Sequence, residues 1–523
     1  MRTTTITAMC VTLVVTLVVT LVASAPSAGT LDGSVKLGGI IMNQVGDRTA
    51  VQETYNIYDG FSLAQLRLNG TLDPRQYFSL DLRDVNLGSR QGDLVYSVPG
   101  SFKLSAGYDQ HRQLFSPEGR INSTRKDWKT AAQFTPNRWL GLTGSFDRLS
   151  RDGDRLPFPA GTVGRLGDRY DNALGSGEVT AEVHKDRRGG AITWRASGYT
   201  DELDPAAKRT GQVVSARLYA PSPFYGRLTH LLRAAYGTRK LSNSALEYTL
   251  ASFQYTGVLE PVDAFQLRYN FDANRIDDKA TKLRTDRFQN DLDATLHYRY
   301  GQVSGGYGYE TNDDDRTLTT YDSWRAGTAF RYGRLVSVRV DYASRVKKDQ
   351  EELTLLKDLE TSQVRAKLQV QPRDGITLGG GYTRRERDLT DLRVTVDGEA
   401  VDGFGRYEVK GWGALSGDYS RSTDDFKDLA GGFHTSSQFV TGRVEFDRMK
   451  GLQLAGGVTY LDIGRDLDIE KSIVFLEGAY TLANDYHLEV KYNAYNYDDY
   501  ILLNRYYTAN VLRINVGYDL HLK

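Results

Sequence analysis

Cysteine is nearly missing from this chain. The single one, Cys10, falls inside the N-terminal apolar run from Ile6 to Ala23. A form cut behind that run has no disulfide, no thiolate metal site and no Cys-x-x-Cys-His haem attachment. Histidine is sparse as well: His111, His184, His230, His297, His434, His487 and His521 are all there is. None stands in a His-x-x-x-His pair, which removes the commonest histidine-based metal signature. Net charge is absent, since 66 Lys and Arg balance 66 Asp and Glu. That argues against nucleic acid as a partner and against one-sign tails acting as interaction arms. Proline (12) and methionine (4) are few, and beyond the N-terminus no apolar stretch is long enough for a membrane helix.

What remains is rich in glycine (52) and tyrosine (33), with only 40% hydrophobic residues in 523. Soluble chains of this length divide into several domains. Tyrosine, glycine and low hydrophobicity together instead suit a membrane barrel with aromatic girdles and small lumen-facing residues. The N-terminus reads as an export signal over residues 1–27, with one Arg2, the apolar run, and small residues Ala23, Ser24 and Ala25. Pro26 leaves the cut anywhere from 25 to 28. Residues 28–523 then read as one domain, placed in a bacterial outer membrane and in contact with its lipid.

The strongest pattern is a period of two. Leu512, Ile514, Val516, Tyr518, Leu520 and Leu522 alternate with Arg513, Asn515, Gly517, Asp519 and His521. Such a strand shows different solvents to its two faces. The same alternation recurs at Phe265–Phe271, Leu292–Tyr300, Val336–Tyr342 and Val364–Val370. Short Pro, Gly and Asn/Asp turns alternate strictly with longer polar stretches, among them Ser150–Gly175, Asp272–Phe288 and Arg385–Gly403. This predicts an all-β, transmembrane, antiparallel up-and-down barrel of about 26 strands (range 22–26), with short periplasmic turns and long extracellular loops. Within Phe404–Arg421 the division is placed at Gly411–Gly413, with one long strand as the alternative. A propeller blade would need four short strands in each repeat of about 38 residues, where only two of about ten residues fit.

Period two also assigns faces. Phe265, Leu267, Val338, Val340, Ile514 and Val516 are expected to meet lipid. Lys103, Asp109, Arg268, His297, Arg299, Arg339, Asp341, Arg365, Lys367, Arg513 and Asp519 are expected to line the lumen, together with Glu489 and Lys491. These charges are of mixed sign, which suits a watery channel or a protein occupant better than a strongly ion-selective pore. Asn312–Asp315 reads as a solvated loop tip, without the ligand spacing of a calcium loop. Gly379-Gly380-Gly381 reads as a close packing site, since no Lys-Ser/Thr follows. No catalytic, cofactor-binding or metal-binding residue is assigned, and the chain is not expected to be an enzyme. A barrel wider than the 16–18 strands that already enclose an aqueous channel needs something inside it. Ser150–Gly175 is the candidate inward loop, and a separate protein is the other filling.

Residues Glu53 to Arg120 resemble the MtrB/PioB-type decahaem-associated outer-membrane barrels. The likeness is carried by Tyr55-Asn56-Ile57-Tyr58-Asp59-Gly60-Phe61 with Leu66-Arg67-Leu68, by Gly88–Asp93, and by Gly107-Tyr108-Asp109-Gln110-His111 ending in Leu114-Phe115-Ser116. Past about Gly161 only general barrel periodicity continues. The Cys-x-x-Cys found near the mature N-terminus of some members is missing, and the chain closes on Lys523 rather than an aromatic. The resemblance implies a barrel that sheathes a periplasmic multihaem c-type cytochrome, with an outer-surface multihaem cytochrome as a further partner. Together they would form a conduit for extracellular electron transfer. Haem is then expected only in the partner, and no cofactor in this chain. The alternative is a large passive porin narrowed by inward loops, and a third class is an adhesin acting through its outer loops.

Overall fold

The computed structural model describes residues 30–46, 60–114, 122–154, 169–204, 207–241, 247–315, 317–349, 359–389, 394–427, 431–466, 468–482, 485–500 and 505–522. The predicted signal, most of the Tyr55–Phe61 motif and the centre of the Ser150–Gly175 stretch lie outside these residues. Twenty-six strands form one antiparallel sheet. In chain order they begin with β1 (Thr30–Gly46), β2 (Gly60–Asp73), β3 (Gln76–Arg83), β4 (Arg90–Val98), β5 (Phe102–Leu114), β6 (Asn122–Asn137) and β7 (Leu140–Asp154). There follow β8 (Arg169–Lys185), β9 (Arg188–Asp201), β10 (Arg209–Pro221), β11 (Leu228–Leu241), β12 (Glu247–Val262) and β13 (Phe265–Asp278). Next come β14 (Arg284–Tyr298), β15 (Gly301–Asp313), β16 (Leu318–Tyr332), β17 (Val336–Asp349), β18 (Leu359–Arg373) and β19 (Ile376–Leu389). The last are β20 (Val394–Val409), β21 (Gly413–Lys427), β22 (Gly432–Phe446), β23 (Leu452–Arg465), β24 (Ile469–Thr481), β25 (Tyr486–Asp499) and β26 (Arg505–Leu522).

Each strand pairs with its neighbours in sequence, and β1 closes the ring on β26 from Leu31↔Leu522 to Gly46↔Tyr507. Closure removes the unpaired edges that an open sheet would leave. The division between β20 and β21 falls at Gly411–Gly413, where Gly411 (φ 74°) and Gly413 (φ 142°) take backbone angles that side chains rarely adopt.

The two faces are told apart by reach. Strands stand about 4.8 Å apart, so an ion pair that skips a strand needs side chains that converge, as they do on the concave side of a barrel. Arg325–Asp291, Arg345–Glu310, Arg385–Asp424 and Lys36–Glu489 all skip a strand. Their face is the inner one. The opposite face carries the exposed large apolar side chains, such as Ile192, Leu218, Leu296, Leu368 and Val516. Aromatic pairs stand on it at two levels: Tyr108–Trp128 and Tyr307–Trp324 above, Tyr300–Tyr332 and Tyr486–Tyr518 near the short turns. Along β16, Trp324 and Tyr332 are eight residues apart, or roughly 26 Å of strand, about the height of an outer-membrane apolar band.

The strands are longer than the expected ten residues. All but β3 and β4 run for at least 13. Much of what reads as extracellular loop is strand: the Arg385–Gly403 stretch holds only residues 390–393 between β19 and β20. The reason lies on the outer face above the upper aromatics, where polar groups keep the ladder going in water. Tyr382 donates to Glu399 at 3.3 Å, Ser362 to Glu386 at 3.4 Å, and Arg384 pairs with Asp397 and Glu386. Loss of apolar alternation ends the lipid-facing band but does not end a strand.

Candidate functional site: the inner wall

The inner wall is a surface of cross-strand rows, so each row follows from register. One arc lies on β14–β17. Glu310, almost fully buried, accepts from Arg287 at 3.1 Å and from Arg345 at 3.0 Å, and Asn312 donates to its other oxygen at 3.0 Å. The Arg345 guanidinium also stands 4.1 Å over the Tyr321 ring. Beside it, Arg325 reaches both Asp291 and Asp293 at 3.1 Å, and Gln289 donates to Asp291 at 2.8 Å. Gly306 and Gly308 leave the room these carboxylates occupy.

A second network lies near the short turns, on β20–β25 and β1. Arg406 pairs with Glu408 at 2.8 Å, Arg443 with Glu445 at 2.8 Å and Glu477 at 3.5 Å, and Lys491 with Glu477 at 3.3 Å. Lys36 completes it on Glu489 at 2.5 Å. Phe475 faces inward with Arg443 5.5 Å from its ring, which accounts for the apolar residues on both faces of β24. Arg406, Glu408, Arg443, Glu445, Glu477, Glu489 and Lys491 line a recess of about 600 Å³ with both signs of charge.

A third arc, on β9–β12 at the long-loop end, is different. It lines a recess of about 850 Å³ with Arg195, Arg209 and Arg239 among Tyr199, Val213, Tyr248, Leu250 and, from neighbouring β13, Ile276, and without a carboxylate.

One connection turns inward. β3 and β4 stop early, and Asp84–Ser89 spans the gap between β2 and β5. Asp84 and Val85 donate backbone N–H groups to Ala64 and Leu63 at 3.0 and 3.2 Å. The Asn86 side chain donates to the Phe61 carbonyl at 2.7 Å and accepts from Leu63 N–H at 2.9 Å. The segment therefore takes the place of a third strand along upper β2, where Ala64 is the extra residue of a bulge against β1. Asp84 (φ 51°) sends its carboxylate over the inner face to Arg513 at 2.5 Å, and Arg513 also donates to Ser62 at 3.3 Å. Ile40 and Ser62, on the inner face beneath, are buried. Asp84–Ser89 thus covers part of the inner face, while the body of the candidate inward loop, Ser150–Gly175, falls outside the described residues. In that stretch β7 and β8 extend to Asp154 and from Arg169, and residues 155–168 lie outside the described residues.

Phe265, Leu267, Val338, Val340, Ile514 and Val516 stand on the outer face. Lys103, Asp109, Arg268, His297, Arg339, Asp341, Arg365, Lys367, Glu489, Lys491, Arg513 and Asp519 stand on the inner one. Among them, Arg339 donates to Asp341 at 2.7 Å, Arg268 to Asn270 at 3.1 Å, and His487 meets Asp519 at 2.5 Å. Arg299 is the correction. β14 ends at Tyr298, so Arg299 lies in the turn, its guanidinium 5.2 Å from the Tyr300 ring. The alternation of Leu292–Tyr300 runs on by two residues past the last ladder pair, Tyr298↔Gly301. Gly379 packs under the Phe404 ring and Gly381 beside the Asp402 carboxylate, both on the inner face. Asp314 is held in its own turn by Thr317, and Asp315 accepts from Arg284 N–H at 2.7 Å. Among the described residues no three His, Cys, Asp or Glu side chains converge as a metal site.

No protein-family model matches the chain, and no curated protein matches it. Solved structures do. The siderophore receptor PirA from Acinetobacter baumannii aligns over 94% of this chain and 80% of its own, at 9% identity and a TM-score of 0.57. The FrpB iron transporter from Neisseria meningitidis aligns over 94% of this chain and 81% of its own, at 8% identity and a TM-score of 0.53. At such identity the likeness extends to the fold: this chain is an outer-membrane-type β-barrel.

Proposed function

We propose that this barrel sheathes a multihaem cytochrome and so forms a conduit for electrons across the outer membrane. The observation that carries the reading is the size and dress of the lumen. Twenty-six tilted strands at about 4.8 Å spacing give a backbone ring roughly 50 Å across, and roughly 40 Å inside the side chains. A folded domain of about 100 residues is roughly 34 Å across. The polar inner wall offers it hydrogen bonds and both signs of charge. The Glu53–Arg120 resemblance supports the same partner. A second chain with closely spaced haems is required, because about 30 Å of hydrocarbon separates the two aqueous phases.

Affinity purification through a tag on this protein, from its native host under respiring conditions, tests the reading. A haem-staining band in near-fixed ratio is the expected result, and deletion of the gene is expected to strand the cytochrome in the periplasm. The arginine-lined recess on β9–β12 favours a second reading, a passive channel for anionic solutes. A haem-free preparation, together with rapid swelling of liposomes that hold the isolated barrel, would decide for that channel.

A further inference from the structure

The recess on β9–β12 has a built centre. Gly211 of β10 pairs with Arg239 of β11 and Ser197 of β9. Arg209 stands two residues away on the same face, and Arg195 lies opposite Val213, two residues the other way. Three guanidiniums therefore ring a position that has no side chain. A Cβ there would stand 3.4 Å from the Ser197 hydroxyl and the Thr238 carbonyl and 3.9 Å from Arg239 Cγ, all ordinary contact distances, so a side chain at this position would fit and would fill the hollow. None of the three arginines forms an ion pair with a described residue. Arg209 lies 5.9 Å from the Tyr199 ring. Carboxylates stand near, Asp204 among them. Asp201 is taken up by the Tyr199 hydroxyl at 3.3 Å and by Leu203 N–H at 3.1 Å. Glu178 is the cross-strand partner of Arg195, yet no ion pair joins them.

The second feature is apolar. Leu250 and Ile276 face the lumen, where the outer-membrane pattern places polar residues. Gathering like charges costs free energy unless an anion completes the set, and apolar walls beside them strengthen that attraction by excluding water. Guanidinium forks match carboxylate geometry bidentately and stack on flat rings. From this we infer that the hollow is a binding site for an organic anion carrying two or three carboxylates on a flat apolar body. The site belongs to the barrel itself and does not depend on the cytochrome reading.

Isothermal titration of the purified barrel in detergent tests it, with trimesate (three carboxylates on one benzene ring) as the probe and inorganic phosphate as the bare anion. Trimesate is expected to bind the native barrel at least roughly tenfold more tightly than phosphate does. Arg195→Gln/Arg209→Gln/Arg239→Gln and, separately, Gly211→Leu are each expected to weaken trimesate by roughly tenfold or more. Arg239→Lys keeps the charge without the fork and should fall between. Heat-modifiable gel migration establishes that each variant is folded, and Gly211→Leu and Arg239→Lys carry the test if the triple variant is not. Absence of trimesate binding to the native barrel overturns the inference. So does equal binding by native barrel and folded variants, and so does phosphate binding as tightly as trimesate.

Discussion

Two arcs of the inner wall each carry three arginines and are finished differently. On β14–β17, Arg287, Arg325 and Arg345 each end on a carboxylate, and Glu310 is almost sealed between two of them. On β9–β11, Arg195, Arg209 and Arg239 end in the lumen, with glycine, tyrosine and leucine in the neighbouring rows. What separates the arcs is the neighbour that register supplies: a carboxylate one row or two strands away closes a network on β14–β17, whereas Gly211 or Tyr248 in that place leaves the guanidinium without a carboxylate. The first arc is wall, held by its own charges. The second has charge to spend on something that enters.

The comparison requires that both arcs face inward, and the largest expected effect breaks it there. Val338 stands on the outer face and Arg339 on the inner one, in adjacent positions of β17. Val338→Arg should cost about 2–4 kcal/mol in refolding into phospholipid vesicles, and Arg339→Gln should cost little. Equal costs would erase the distinction of faces on which both arcs rest.

Next in size is the closed arc itself. Glu310→Ala takes the shared partner from Arg287 and Arg345, which then need lumen water. A loss of about 1–3 kcal/mol is expected, read as a lower denaturant midpoint for the folded band on gels. The Asp84–Arg513 clamp is smaller, because Arg513 keeps Ser62. Asp84→Ala should cost about 1 kcal/mol. It should also open the Asp84–Ser89 segment to protease from the long-loop side, while native protein stays uncut there.

How much of this was legible in the sequence depends on what each feature is made of. Faces and strand number are written in period two, and the turn at Gly411–Gly413 in glycine. Strand length is not, because above the upper aromatics Arg384, Glu386, Asp397 and Glu399 make strand look like loop. Asp84-Val85-Asn86-Leu87-Gly88-Ser89 reads as an ordinary polar turn, and only buried Leu87 within it hints that the segment packs. The free arginines were missed for a different reason. Arg195-Ala196-Ser197-Gly198-Tyr199 and Arg209-Thr210-Gly211 alternate no differently from strands elsewhere. Whether an arginine is paired depends on which residue of another strand stands opposite, and a single strand's pattern does not contain that.

The smallest expected effect on stability is the sharpest on function. Arg239 stands opposite Gly211 on one side and Tyr248 on the other, and its guanidinium is exposed to the lumen with no carboxylate to lose. Arg239→Gln removes one of three neighbouring like charges, so folding stability should stay within about 0.5 kcal/mol of the native value or rise slightly. The same change made at Arg345, which bonds Glu310 and lies over Tyr321, should lower stability by at least about 1 kcal/mol. Denaturant midpoints of the two variants, measured side by side, turn the difference between the arcs into one number. If Arg239→Gln costs as much as Arg345→Gln, Arg239 has a structural partner and the open arc is wall like the other. If it costs nothing, Arg239 has no structural partner to lose, which is what an arc left open for an anion requires.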